Sequence, residues 1–317
     1  MPERATDIDL GRLKALLSGD YRPAPRSPFD VSAAALFGGI SGLVLPAEQY
    51  EVAPGLTLTQ TYAYLIAPFI LAFAPPPRPG TPHPGPWSSL SERGLTILAE
   101  VRLAKGVIPW GFDRINSLWF LVALLRLRLA LPLQMPVLAD RAFASASAAG
   151  ETANLIPAEV NLFQLLTAPR RNPSLADLDW IRDHIGTAAA LMDEPVFNRA
   201  MQTFDIAIAT HSPGAGIVIA WASIETLIRP GSGRITERVC RALAAHLKPP
   251  GSQRDRAFTE IAASYRDRGG AAHAGTVPEA KEFQTAFRLA RAALVKTIEV
   301  GALPDVEVLL DRWRNGT

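Results

Sequence analysis

Apolar side chains in the second half of the chain recur every three to four positions, the period of an α-helix buried on one face. Ile217, Ala220, Ile224 and Leu227 form one such stripe. Ile235, Val239, Leu243 and Leu247 form another, and Phe283, Phe287, Ala290, Leu294 and Ile298 a third. Breaks fall between them at Ser212-Pro213, Pro230-Gly231-Ser232-Gly233 and Pro249-Pro250-Gly251, residues that start or stop helices. Ser174 is placed to cap a helix running to about Met192, and Pro195 opens the next, to about Thr210. Ser252 caps a helix heading toward His273, Pro278 opens a long one, and Pro304–Arg314 closes the chain. Short breaks between such helices predict an antiparallel bundle over 193–300, with at least four helices and no strand.

The first half follows a different rule. Leu56-Thr57-Leu58-Thr59 alternates strictly after the turn residues Pro54-Gly55, and Ile97, Ala99, Val101 and Leu103 alternate with Glu100 and Arg102. Both read as strands. Ile8–Leu17 reads as a short helix, and Arg114–Leu131 as a buried one with Arg126 and Arg128 near its C-terminal end, where positive charge suits the helix dipole. Pro75–Pro86 holds seven prolines in twelve residues and reads as an extended loop. The fold class that follows is α+β: a mixed α/β domain over 1–170, serving as a sensor, and an all-α bundle over 171–317.

Composition adds bounds. The chain has 317 residues, 48% hydrophobic and 20% charged, which is globular and long enough for two domains. Its formal net charge of +2 argues against a broad nucleic-acid-binding surface and leaves room for a local basic patch. Cys240 is the single cysteine, so no intrachain disulfide forms, and the five histidines are scattered without zinc-ligand spacing. Neither a metal nor a cofactor is expected. Val31–Pro46, Tyr62–Ala74 and Ile115–Leu138 are apolar but short or interrupted, below the ~20 residues of a spanning helix. Glu3, Asp7 and Asp9 do not suit a secretory leader. The reading is a soluble, cytoplasmic protein without a membrane partner.

Candidate chemistry centres on Arg268 and His273. Phe258, Ile261, Tyr265 and Arg268 share one helical stripe, and a guanidinium there costs free energy unless it is paired or faces water. Arginine and histidine together can cleave RNA without metal. The histidine moves a proton at the 2′-oxygen or the 5′-oxygen, and the guanidinium holds charge on the phosphorus oxygens. DNA lacks the 2′-hydroxyl, so no DNA specificity is expected. Five residues turn an ideal helix by about 140°, so the two side chains do not share a face. Gly269-Gly270 is expected to end or kink the helix. Arg266, seven residues before His273, competes for the role. A capping histidine beside solvated arginines is the plainer reading of the same residues. Glu225 is either a partner for a nearby arginine or a rim carboxylate. Trp221 reads as core, Arg288 and Arg291 as a solvated face, and His184 and His246 lack partners at metal-ligand spacing.

Three blocks also stand in order. Ile219–Leu227 is an apolar segment with a tryptophan and an Ile-Glu pair, Ile224-Glu225. Arg234–Val239 follows, rich in arginine and ending in valine. Tyr265, Arg268 and His273 then form a Tyr-x-x-Arg-x-x-x-x-His segment. Together the blocks resemble the Apea-like branch of the HEPN superfamily, over roughly the last 120–140 residues. The sequence departs from the family at Gly269, at Ala271-Ala272, and at Ala274, where a glycine usually follows the histidine. The resemblance implies a homodimeric bundle and a metal-independent endoribonuclease or RNA-binding module. Catalytic Arg268 and His273 would meet their copies at the dimer seam, supported by Glu225, Tyr265 and Arg266. Antiviral defence or toxin-like RNA cleavage is the biology it implies. The alternative is a non-catalytic dimerisation or interaction protein on the same scaffold.

Overall fold

A computed structural model describes residues 34–66, 71–72, 78, 88–89, 94–146, 153–159, 172–210, 212–273 and 278–315. The helix expected at Ile8–Leu17 lies outside them, as does nearly all of the proline-rich run. The architecture is α+β. An antiparallel sheet in the first half precedes a helical second half.

The strands of the main sheet are β1 (Leu36–Ser41), β2 (Gln49–Ala53), β3 (Leu56–Ile66), β6 (Gly94–Leu103), β7 (Gln134–Ala139) and β8 (Leu155–Pro157), and β4 (Leu71–Ala72) pairs separately with β5 (Ser88–Ser89). The main sheet has the order β2-β3-β6-β1-β7-β8. Every described pairing is antiparallel. The two alternating segments became β3 and β6, paired Leu58 to Val101. Strand β3 runs well past Thr59, across an irregularity between Gln60 and Ala63 that interrupts its alternation.

Strand β1 escaped prediction because it is buried on both faces, so nothing alternates. Its glycines are sites of close approach rather than breaks. A Cβ at Gly38 would sit 2.6 Å from Met135 Sδ, and one at Gly39 would sit 2.8 Å from Phe143 Cζ. Behind the sheet, Glu100 is buried, and its carboxylate accepts the Phe143 backbone N–H at 2.7 Å. Burial raises its pKa, and that hydrogen bond partly opposes the rise.

Helix α1 (Arg114–Leu129) is capped by Asp113, whose carboxylate accepts the Asn116 N–H at 2.8 Å. It is buried around most of its circumference, as a helix covered on several sides must be. Helix α2 (Phe143–Ala146) is a single turn. The bundle follows as α3 (Leu175–Leu191), α4 (Pro195–Ile208), α5 (Pro213–Ile228), α6 (Ile235–Leu247), α7 (Ser252–His273), α8 (Ala280–Val300) and α9 (Val306–Asn315). The proline and glycine breaks fall where the sequence placed them. Ser174 closes a capping box with Asp177 at the start of α3, Ser212 caps α5, and Gly301, at φ 73°, ends α8. Within 213–300 the described residues contain no strand.

Gly269 and Gly270 do not end α7, which continues to His273. The packing of Ile261 and Ser264 beneath the helix, both buried, outweighs the cost of about 1 kcal/mol per glycine. None of the described helices is long and apolar enough to cross a membrane.

One continuous core joins the sheet to the helices. Leu58, Val101 and Leu103 from the strands share it with Leu121 of α1, Leu178 of α3, Phe204 of α4 and Leu294 of α8. The expected boundary near 170 falls in residues outside the described set. Arg291 of α8 is not on a solvated face. Its Nε donates to the Leu127 carbonyl at 2.6 Å and its guanidinium also reaches the Arg128 carbonyl, capping the C-terminal end of α1 with positive charge.

Candidate functional site

Helices α5 and α7 bring Glu225, Tyr265 and Arg268 together. Trp221, one turn before Glu225, is fully buried and donates its indole N–H to Ser264 Oγ at 3.1 Å. Its ring meets Tyr265 edge to face, centroids 4.9 Å apart. This packing fixes the register of the two helices, and the polar groups sit at its rim. Glu225 Oε1 accepts the Tyr265 hydroxyl at 2.8 Å, and Glu225 Oε2 accepts an Arg268 N–H at 3.2 Å. The Arg268 guanidinium also lies 5.5 Å from the Tyr265 ring centroid.

Both charged side chains are about a quarter exposed, so the pair stands at a rim, neither sealed nor free. Burial pushes the Tyr265 hydroxyl above the usual phenol range, and the bond to Glu225 adds to it, while Arg268 and the Thr236 hydroxyl work against the rise. Tyr265 is therefore held as a neutral donor. The Nε of Arg268 is buried without a hydrogen-bond partner, an unsatisfied donor on a charged group.

The remaining expected residues separate. His273 is the last residue of α7, and its side chain lies outside the described residues. Along the unbroken helix it stands about 140° and roughly 7.5 Å from Arg268. Arg266 is exposed, about 200° from Arg268 around the axis. It lines a different cavity, of about 490 Å³, with Asp267, Glu279 and Glu282. Burial raises the Asp267 carboxyl there, Glu282 raises it further, and Arg266 lowers it. Trp221 is core, as its position indicated. Arg288 pairs with Glu260 on the surface.

His184 stacks on Trp180 and hydrogen-bonds its carbonyl at 2.8 Å. The His246 Nε2 lies 3.2 Å from both the Ala293 carbonyl and the Thr297 hydroxyl. Among the described residues no three His, Cys, Asp or Glu side chains assemble as metal ligands.

Sequence reasoning missed Arg126. It serves as more than a dipole partner. Only 6% exposed, it meets Glu159 at 2.6 Å and Asp205 at 2.9 Å, and its Nε donates to the Leu133 carbonyl at 2.8 Å. Burial works against its charge, but the two carboxylates outweigh that and raise its pKa. Burial likewise raises Asp205, opposed by Arg126. An arginine within the apolar run 115–138 was itself the signal, because such a charge requires a buried counter-ion. Comparison of the chain with family models, curated proteins and solved structures gives no match.

Proposed function

We propose that the helical part of this chain is an RNA-binding module of the HEPN kind, with metal-independent endoribonuclease chemistry at Arg268 and His273 in a homodimer. Arg268 carries this reading. It is a partly exposed guanidinium with an unpartnered Nε, held in place by Glu225 and Tyr265 and less than two turns from His273. Such a group is oriented before a phosphate arrives, which is how guanidinium groups stabilise developing charge.

In the reaction, the RNA 2′-oxygen attacks phosphorus and the P–O5′ bond breaks. The products are a 2′,3′-cyclic phosphate and a free 5′-hydroxyl. His273 takes the 2′-hydroxyl proton or supplies one to O5′, and Arg268 holds the non-bridging oxygens. A two-fold seam lets one protomer's Arg268 serve with its partner's histidine, which meets the 140° separation. Defence or toxin-like RNA cleavage in the cytoplasm is the role this chemistry suits.

A second reading, a non-catalytic dimerisation scaffold, is favoured by one observation: Glu225 already neutralises Arg268. Incubating the chain with mixed RNA in EDTA, wild type against His273→Ala, separates the two. The catalytic reading expects cyclic-phosphate ends, no cleavage of DNA or 2′-O-methyl RNA, and a loss of about 10²–10⁴-fold in the variant. Metal dependence or undiminished cleavage by His273→Ala excludes it. Dimers without cleavage select the scaffold, and a monomer at micromolar concentration counts against both.

A further inference from the structure

Away from Arg268, the N-terminal part of α6, the residues just before it and the helix α9 line an open cavity of about 440 Å³. Four arginines line it, Arg234, Arg238 and Arg241 from α6 and its cap and Arg314 from α9, against the single lining carboxylate Glu237. We propose that this cavity binds a phosphate-bearing ligand through these guanidinium groups.

The convergence has a sequence cause. Arg234, Arg238 and Arg241 fall at i, i+4 and i+7, one face of α6. Helix α9 lays Leu310, Trp313 and Arg314 against the same cavity. Trp313 fixes the geometry, with the Arg241 guanidinium 5.9 Å from its centroid and Arg254 at 5.2 Å. The volume falls within the range of small-ligand pockets, about 300–1,000 Å³.

Existing ion pairs do not satisfy this charge. Glu237 serves two arginines, Arg241 at 2.8 Å and Arg234 at 3.8 Å, and the second distance is too long for a hydrogen bond. Arg314 pairs at 2.8 Å with Asp311, both more than 60% exposed. Arg238 is held more firmly: half-buried, it pairs with the exposed Glu307 and its Nε donates to the Pro230 carbonyl. The exposed Arg314–Asp311 pair and the long Arg234–Glu237 contact are weak and screened by salt, so a doubly charged phosphate offering bidentate bonds to several guanidinium groups displaces them. Arg241 also has a buried Nε without a hydrogen-bond partner. No side chain caps α6, and Arg234 at its cap holds a φ of 46°. The first-turn N–H groups therefore add their partial positive charge to that of the arginines. A tetrahedral anion with three or more acceptor oxygens uses this arrangement more fully than a carboxylate does.

Isothermal titration of the full chain with pyrophosphate, with ATP and with a 5′-phosphorylated single-stranded RNA tests the site. The double variant Arg234→Gln/Arg314→Gln is the probe, since both side chains are exposed and the fold does not depend on them. Saturable pyrophosphate binding is expected, weakened at least about tenfold in the double variant and unchanged by His273→Ala. Tighter binding of ATP than of pyrophosphate identifies a nucleotide as the source of the phosphate. Tighter binding of the RNA, still lost in the double variant, identifies a nucleic-acid strand. No saturable binding of any of the three at millimolar concentration, or equal affinity in the double variant, overturns the proposal. Cleavage of RNA in EDTA without pyrophosphate binding would remove this site and leave the Arg268 reading standing.

Discussion

His246 shows what a single buried side chain costs. It sits between α6 and α8 with Nε2 against the Ala293 carbonyl and the Thr297 hydroxyl, and burial lowers its pKa below the ordinary value. In the unfolded chain it titrates at about 6.5. Above that pH both states hold it neutral and stability is full. As pH falls below about 6.5 the unfolded state takes the proton first, so stability drops by up to about 1.4 kcal/mol per pH unit until the folded pKa is reached. Urea denaturation between about pH 7.5 and 5.5 should show this fall, and His246→Gln should flatten it. A slope equal in both proteins would assign the effect elsewhere. At the candidate site, the Arg268 stripe and its need for a partner were legible because helical spacing and the cost of burying charge are both local rules. Which group would answer was not: Glu225 read equally as a partner and as a rim carboxylate, and only the crossing of α5 and α7 brings it to Arg268. The arginine cavity was not legible. Its face on α6 is visible in the spacing of 234, 238 and 241, but its other wall comes from a helix some 70 residues later.

Elements divide by how they announce themselves. Helices α3 to α9 were legible because each buries one stripe and proline, glycine or a capping serine punctuates the breaks between them. Strand β1 was not, because a strand buried on both faces has no alternation and its Gly38-Gly39 pair imitates a turn. The same pair gives an element-scale prediction. Gly39→Ala drives a methyl to 2.8 Å from the Phe143 ring, and Phe143 is held by its backbone bond to Glu100. Overpacking of this kind costs about 1–3 kcal/mol. A denaturation midpoint lower by that amount is expected, with most of the loss recovered when Phe143→Leu is added. If Gly39→Ala is neutral, the ring yields more freely than its packing indicates.

At the scale of the whole molecule, the Arg126–Glu159–Asp205 cluster ties α1 to the chain after β8 and to α4. Removing the cation alone strands the largely buried Asp205 and the half-buried Glu159 without their counter-charge. Arg126→Met should lose about 3–5 kcal/mol. Replacing all three by apolar residues of similar volume should restore most of that, because the desolvation cost disappears with the charges. Equilibrium unfolding by circular dichroism checks both variants. A loss under about 1 kcal/mol in Arg126→Met would place the cluster among surface pairs. The core shared by sheet and bundle also predicts one cooperative transition rather than two.

Helix α1 carries a consequence for inheritance. Its surface is divided between the sheet on one side and α3, α4 and α8 on the others, and Arg291 closes its end from within the bundle. A gene rearrangement that moved residues 172–317 alone onto another protein would uncover the apolar sides of α3, α4 and α8, leave Asp205 without the Arg126 cation and take away the α1 carbonyls that Arg291 caps. The helical half is therefore not a freely portable module. It can travel only with a copy of α1, or with a new neighbour that supplies the same apolar face, the same buried cation and the same open carbonyls.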